Sequence, residues 1–495
     1  MLLQEFVPLS DSVSYHISQH SWRRGMSNFF IEKVPFSFST SNEYAQFCID
    51  LMRCFKQDSH PLSVLEVGSG LGLLAKKIIS KYESEWPDQP IQFTLSEYSD
   101  AVTEGLKSLD FVHESPNVSC ETCDITRPNF SKDYDLMLLT YIWDVLPCTI
   151  LEFDNGNCYE WLVSASISDE LIIQDTTSMP FKTLGAAQIK QLLNGTIPDQ
   201  YLALLSRIAE NIHYQWKRQP FDTSQAKYAG LLQELQKKSE KHQQSFFMNY
   251  SDSLLDSLDA CIKQFQGDFV LLCHDFAHTR PLQGQSVEHT IGRFGLCQFY
   301  NIPFYLIKAF CENRGLQCIT SQYKDSDNQI AIISSYTDET IVNNFKALLS
   351  KKEPGMNSYE VAQLYLNDDI TTANESALTE DEKSDYYLLF CKAKHYFKRE
   401  QYNDCLTCLD LLINDYGKAA LSAFVLASKA LRKLKFQKEA LELLSQVDDT
   451  SYDAIALEKV FIYAEMADKA MMQESIESYF RKASYNLQLQ LSDLL

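Results

Sequence analysis

The chain has 495 residues, 45% of them hydrophobic and 12% aromatic, and a formal net charge of -22 at pH 7. A single hydrophobic core stops growing at about 250 to 300 residues, so at least two domains are expected, and this much apolar material excludes wholesale disorder. The acidic balance repels phosphate backbones and no long Lys/Arg run offsets it, which argues against nucleic acid as a partner or substrate.

In chain order, the opening MLLQEFVPLS lacks the basic segment and apolar core of a secretory signal. Residues 1–60 read as a helical N-terminal cap, in which Ser39, Thr40, Ser41 and Asn42 precede an amphipathic helix carrying Tyr44, Phe47, Leu51 and Phe55. The run VLEVGSGLGLLAKKIIS, Val64 to Ser80, then reads as strand, tight turn and helix. Its glycines Gly68, Gly70 and Gly72 admit positive φ and a close backbone approach, and the helix behind them offers free N–H groups. A dinucleotide fingerprint would place two residues between its second and third glycines, whereas a single residue, Leu71, stands there. The string E-V-G-S-G-L-G resembles motif I of the class I S-adenosylmethionine-dependent methyltransferases. That resemblance implies that Glu66, Gly68, Gly70 and Gly72 border the methionine end of the cofactor.

The run IQFTLSEYS, Ile91 to Ser99, supplies a second strand and the acid Glu97. In a doubly wound sheet the carboxyl end of this strand lies beside the first glycine turn, where an acid accepts both ribose hydroxyls of an adenosine. Asp124 follows in NVSCETCDITRP, where class I methyltransferases often carry an acid for the adenine amino group; Asp before Ile-Thr is also an ordinary turn residue. A buried fourth strand, Tyr134 to Thr140, leads to Tyr141, Ile142, Trp143 and Asp144. Asp144 either caps a helix starting near Leu146 or takes a direct part in catalysis, since a buried carboxylate is otherwise costly.

Tyr159 to Val163 and Glu170 to Gln174 add strands. Over about 182–265 the pattern turns helical and polar, with Leu202, Leu205, Ile208 and Ile212 at helical spacing, and an all-helical insertion reads as a lid over the cofactor pocket. The chain returns to the sheet at Asp268 to Phe276, passes a loop and a helix near Pro303 to Arg314, and closes a methyltransferase domain of residues 61–350 with a strand at Gln329 to Ser334. Residues 351–385, with the acidic run that begins at Asn367, read as a linker. In 386–495, Ala393, Tyr396, Tyr402, Cys405 and Leu409 recur 35 residues later as Ser428, Leu431, Gln437, Ala440 and Leu444. Helical hairpins with that period resemble tetratricopeptide repeats, which grip peptides or helices, so a protein substrate or partner is expected there.

Fourteen cysteines are scattered along the chain, among them the C-x-x-C pair Cys120 and Cys123. Buried thiols in a reducing cytosol are the expectation, and no metal site. No apolar run approaches the roughly 20 residues that span a bilayer, so a soluble, cytoplasmic chain with no membrane partner is expected.

The strings WDVLP, HDFA and HTIGRF narrow the family. Together they resemble the MidA-type methyltransferases, the family of a mitochondrial complex I assembly factor, over roughly residues 20–335. The resemblance implies a Rossmann-like α/β sheet of seven strands with a large insertion, followed here by an all-α repeat-like domain, and S-adenosylmethionine as cofactor. It implies cofactor contacts at Glu66, Gly68, Gly70, Gly72, Glu97 and Asp124, with Asp144 and Asp275 as the catalytic carboxylates. It also implies methylation of a protein arginine. Two departures stand out: the family's Asn-Glu is Thr140-Tyr141 here, and its Tyr-Gly after the later Asp is Phe276-Ala277. His274, His278 and His289 lie in or beside the loop after the sixth strand, where a histidine can serve as a base at neutral pH.

Overall fold

The computed structural model describes residues 1–22, 38–56, 61–168 apart from 108 and 131, 173–175, 182–184, 209, 211–281, 286–294, 297–323, 326–447 and 453–480. Two sheets are built from β1 (Leu2–Val7), β2 (Leu62–Val67), β3 (Ile91–Glu97), β4 (Val118–Thr122), β5 (Leu136–Thr140), β6 (Thr149–Asp154), β7 (Asn157–Ser166), β8 (His213–Pro220), β9 (Ser245–Tyr250), β10 (Val270–His278), β11 (Gln317–Thr320) and β12 (Asn328–Ser334). Around the sheets lie α1 (Val13–Trp22), α2 (Asn42–Phe55), α3 (Leu73–Glu85), α4 (Ala229–His242), α5 (Asp252–Gln264), α6 (Phe304–Glu312) and α7 (Glu339–Leu349). The C-terminal helices are α8 (Met356–Leu366), α9 (Tyr386–Lys398), α10 (Tyr402–Tyr416), α11 (Leu421–Lys433), α12 (Gln437–Ser445), α13 (Asp453–Glu465) and α14 (Lys469–Phe480).

The first sheet runs β11-β12-β10-β5-β2-β3-β4. Strand β12 is antiparallel to both of its neighbours, and the pairs β10–β5, β5–β2, β2–β3 and β3–β4 are parallel. This is the class I methyltransferase arrangement, and β10 is its fifth strand, not the sixth. Parallel strands covered on both faces read as continuous apolar runs, as Leu136, Met137, Leu138 and Leu139 do, each fully buried. Val64, Leu136, Leu138, Leu272 and Ile332 face α2, α3 and α7, while Leu65, Met137, Leu139, Leu271 and Ile333 face α4, α5 and α6. Helix α2 therefore belongs to the catalytic core. Its start is fixed by Ser41, whose side chain accepts a hydrogen bond from the Tyr44 N–H.

Three sequence expectations need correction. The N-terminal cap is not wholly helical, because β1 pairs antiparallel with β7. The insertion at 182–265 is mixed: Leu202, Leu205 and Ile208 lie outside the described residues, but β8 and β9 join β1, β6 and β7 in an antiparallel second sheet. In β8, Tyr214 and Trp216 are half-buried while His213 and Gln215 are exposed, a strand period of two that local polarity disguises. Of the strand expected at Glu170 to Gln174, Ile173–Asp175 is described and pairs with Lys182–Leu184 in a small hairpin.

The third correction concerns 351–385, which is not a linker. Helix α8 buries Val361, Ala362 and Tyr365 against Leu388 and Cys391 of α9. Its end, and those of α9, α11 and α13, share one turn. Asp368, Glu400, Lys435 and Ala467 take positive φ, and the next residue's N–H bonds back five residues at 2.9 to 3.0 Å (Asp369 to Leu364, Gln401 to Tyr396, Phe436 to Leu431, Asp468 to Tyr463). The array of helical hairpins thus begins inside the stretch expected to be a linker, ahead of its acidic run. The recurring positions Ala393/Ser428, Cys405/Ala440 and Leu409/Leu444 are all fully buried. Among the described residues no helix is long and apolar enough to cross a membrane, and all fourteen cysteines are free thiols, twelve of them buried.

Candidate functional site

Three backbone features shape the turn between β2 and α3. Gly68, Gly70 and Gly72 take φ of +69°, +57° and +66°. The N–H groups of Gly68 and Ser69 both donate to the Ser96 carbonyl on β3, at 2.8 and 3.1 Å. A Cβ on Gly68 would come 2.2 Å from Ile142 Cδ1, and one on Gly72 would come 2.9 Å from Phe111 Cζ. Side chains are excluded on both counts, conformation and space.

Glu97 ends β3 beside this turn, and its carboxylate accepts hydrogen bonds from the Gly70 and Tyr98 N–H groups. Glu66 lies one strand over, 5% exposed, and its Oε2 has no hydrogen-bond partner among the described residues. Burial, and then the charge of Glu97, push the Glu66 carboxyl up to about 8; burial pushes Glu97 up to about 7 against its two backbone donors. These residues fit S-adenosylmethionine. The turn leaves room for backbone contact, Glu97 stands where a ribose would be held, and the unmatched oxygen of Glu66 is complementary to an ammonium group. Asp124 follows β4 and is half-buried, and its Oδ1 accepts from the Thr126 N–H and hydroxyl at 2.9 and 2.7 Å, so one oxygen is engaged in a turn.

Beyond the turn, the ends of β5 and β10 bring Asp144 and Asp275 together, both buried. Asp144 sits in a short 3-10 turn, Trp143–Val145, and does not cap a helix at Leu146. Asp275 accepts the N–H groups of Trp143 at 3.1 Å and Phe276 at 2.9 Å, one on each oxygen, so it straps the two strand ends. Asp144 Oδ1 has no hydrogen-bond partner among the described residues. Burial raises the Asp144 carboxyl to about 8, and burial followed by the Asp144 charge raises Asp275. Two facing carboxyls in a dry site share protons, and neither titrates alone.

The three histidines are separated. His274 lies within β10 and is fully buried; His278, half-buried at the strand end, is held low by burial; exposed His289 bonds Ser286 in a capping box. Sequence reasoning missed Glu353, whose buried carboxylate approaches His274 Nε2 at 3.5 Å. It also missed the seat of the helical array. Leu71 and Leu73, either side of Gly72, pack among Tyr386, Leu389, Phe390, Leu412 and Tyr416. Beside them Lys77 Nζ lies 3.2 Å from Asp385 Oδ1, with side chains 7% and 3% exposed.

Residues 44–321 match the model of a family described as "Putative S-adenosyl-L-methionine-dependent methyltransferase". No curated protein matches the sequence. Among solved structures, a COG1565 superfamily protein from Burkholderia thailandensis is 10% identical with TM-score 0.38, over 64% of this chain and 73% of that one. A COG1565 superfamily member from the same organism, bound to S-adenosyl-homocysteine, is 11% identical with TM-score 0.37, over 70% and 84%. The N-methyltransferase NodS from Bradyrhizobium japonicum, in complex with S-adenosyl-homocysteine, is 8% identical with TM-score 0.29, over 65% and 98%. The family model spans more than half of the chain, from the helix that opens the catalytic core to the sheet's outer strand, and the chain belongs to this family of S-adenosylmethionine-dependent methyltransferases.

Proposed function

We propose that the enzyme methylates a side-chain nitrogen of a protein, arginine being the favoured acceptor, and that the helical array recruits the protein that carries it. The observation behind this reading is the Asp144–Asp275 pair, buried at the ends of β5 and β10 with one oxygen unmatched. A dry carboxylate of that kind is satisfied by a cation that brings its own hydrogen-bond donors. S-adenosylmethionine, when bound, supplies a methyl group already activated on a sulfonium, so the protein has chiefly to position the acceptor and exclude water. Glu97 and the glycine turn hold one end of the site, and Asp144 orients the incoming nitrogen at the other. Asp275 keeps the strand ends in register. The array supports recruitment because stacked helical hairpins present concave surfaces to peptides or helices, and the free thiols fit a reducing, cytoplasmic setting.

The test is calorimetric titration of the purified chain with S-adenosylmethionine, with Glu97→Ala as control, followed by transfer of labelled methyl to extract proteins. Binding lost in the control, and label recovered as methylarginine after acid hydrolysis, are the expected results. Label confined to small molecules would instead favour a small-molecule methyltransferase. No binding to the unaltered chain would defeat the cofactor site itself.

A further inference from the structure

The segment Ser350 to Gly355 leaves α7 and returns over the end of the catalytic sheet before entering α8. Its course is fixed at Gly355, where φ is +90° and an added Cβ would lie 2.6 Å from Ser41 Oγ. The Gly355 N–H donates to Glu43 Oε2 at 2.7 Å, and Asn357 Nδ2 bridges Glu43 and Glu382 at 3.2 and 2.9 Å. This clamp, made by the first turn of α2 and the start of the array, delivers Glu353 inward. Glu353 is 3% exposed, and neither of its oxygens has a hydrogen-bond partner among the described residues.

What it faces is equally unsatisfied. His274, fully buried on β10, has no hydrogen-bond partner on either ring nitrogen among the described residues, and its Nε2 stands 3.5 Å from Glu353 Oε1. Its ring lies between Tyr44, 4.8 Å away, and Tyr141, 5.6 Å away. Tyr141 carries a φ of +54° at the end of β5, a conformation that a tyrosine adopts only under constraint. The Tyr323 hydroxyl is also buried without a partner among the described residues. Burial first, and then the Glu353 charge, push the phenols of Tyr141 and Tyr323 up, so both phenols feel the carboxylate. Buried polar groups are almost always matched, and this many unmatched ones at the end of two central strands mark a place built for a ligand.

We propose that Glu353 and His274 form the head of the acceptor pocket, in which Glu353 pairs with a cationic guanidinium or ammonium group enclosed by the rings of Tyr44, Tyr141 and Tyr323. The carboxylate comes from outside the stretch of residues 44–321 that the family model covers, so acceptor recognition is completed by the segment that joins the sheet to the array. Aromatic faces and a carboxylate together suit a delocalised cation. The proposal rests on the nitrogen-acceptor reading above, but it is tested without a turnover assay.

The full chain, saturated with S-adenosylhomocysteine, is titrated calorimetrically with ethylguanidinium and, separately, n-butylammonium. Saturable binding of one or both is expected, weakened about tenfold or more by Glu353→Gln through loss of a charge-assisted hydrogen bond, while affinity for S-adenosylhomocysteine changes less than about twofold. Should Glu353→Gln fail to fold, Glu353→Asp, which keeps the charge but shortens its reach, is read in its place and is also expected to bind more weakly. Failure of S-adenosylhomocysteine to bind the unaltered chain would overturn the cofactor site and this proposal with it. Normal S-adenosylhomocysteine binding with no heat from either cation, or with equal cation affinity in the variant, would overturn the acceptor pocket alone.

Discussion

Raising the pH from 6 to about 8 is expected to tighten S-adenosylmethionine binding, because Glu66 must lose a proton to meet the cofactor's cationic end. Burial and Glu97 hold Glu66 at about 8 in place of 4.5, and burial holds Glu97 at about 7. At pH 7 Glu66 is therefore about nine-tenths protonated. Both carboxyls are raised above their unfolded values. They stabilise the cofactor-free protein fully below about pH 4.5, and that contribution is lost as the pH climbs through 7 and 8. A bound cation reverses the preference, so apparent affinity should rise up to about tenfold per pH unit for each proton released, and pass a maximum near pH 8, where the cofactor's own α-ammonium starts to lose its proton. Calorimetry at pH 7 in phosphate and in Tris measures this directly: the two enthalpies should differ by the buffers' ionisation heats, with one to two protons released. Glu66→Gln should bind more weakly and keep only the shallower dependence due to Glu97. A buffer-independent enthalpy together with a flat affinity from pH 6 to about 8 would refute the reasoning.

Gly68→Ala should lower stability by about 2 kcal/mol or more, combining the left-handed backbone at φ +69° with the 2.2 Å approach to Ile142. Adding Ile142→Ala should recover the steric part of the loss in urea unfolding; a double variant no better than the single would rule out the clash. At the array's seat, Asp385→Ala should cost about 3 to 5 kcal/mol, since it strands the buried Lys77 ammonium with the Thr40 carbonyl, 2.7 Å away. Lys77→Met should cost clearly less, because Asp385 keeps the Asn42 N–H and the Ser358 hydroxyl as donors, both at 2.6 Å. Equal losses in the two variants would mean that the ion pair is not what holds the array.

The catalytic sheet was legible because its strands announce themselves locally. Leu136 to Leu139 is continuously apolar, and the glycines that open α3 stand next to the acids they serve. The second sheet was not, because β8 shows only the half-buried Tyr214 and Trp216 on one face and finds its partner β7 about 50 residues earlier. The stretch expected to be a linker before α9 concealed a folded helical hairpin, since Val361, Ala362 and Tyr365 gain meaning only from helices that follow. Glycine turn, Glu66 and Glu97 could be read as a unit; Glu353 could not. A single glutamate in KKEPG carries no local signal, and the histidine it faces belongs to a strand that ends before the last two strands of the sheet begin.

Leu71 and Leu73 belong to two structures at once, the glycine turn of the candidate cofactor site and the apolar core of the array. Neither can be adjusted alone. A perturbation that shifts α9 on its seat is expected to alter affinity for the cofactor, and by thermodynamic reciprocity cofactor binding should bear on that shift by the same factor. If the array recruits the protein acceptor as proposed above, it is a gauge as well as a grip: the supply of methyl donor would set how firmly that protein is held.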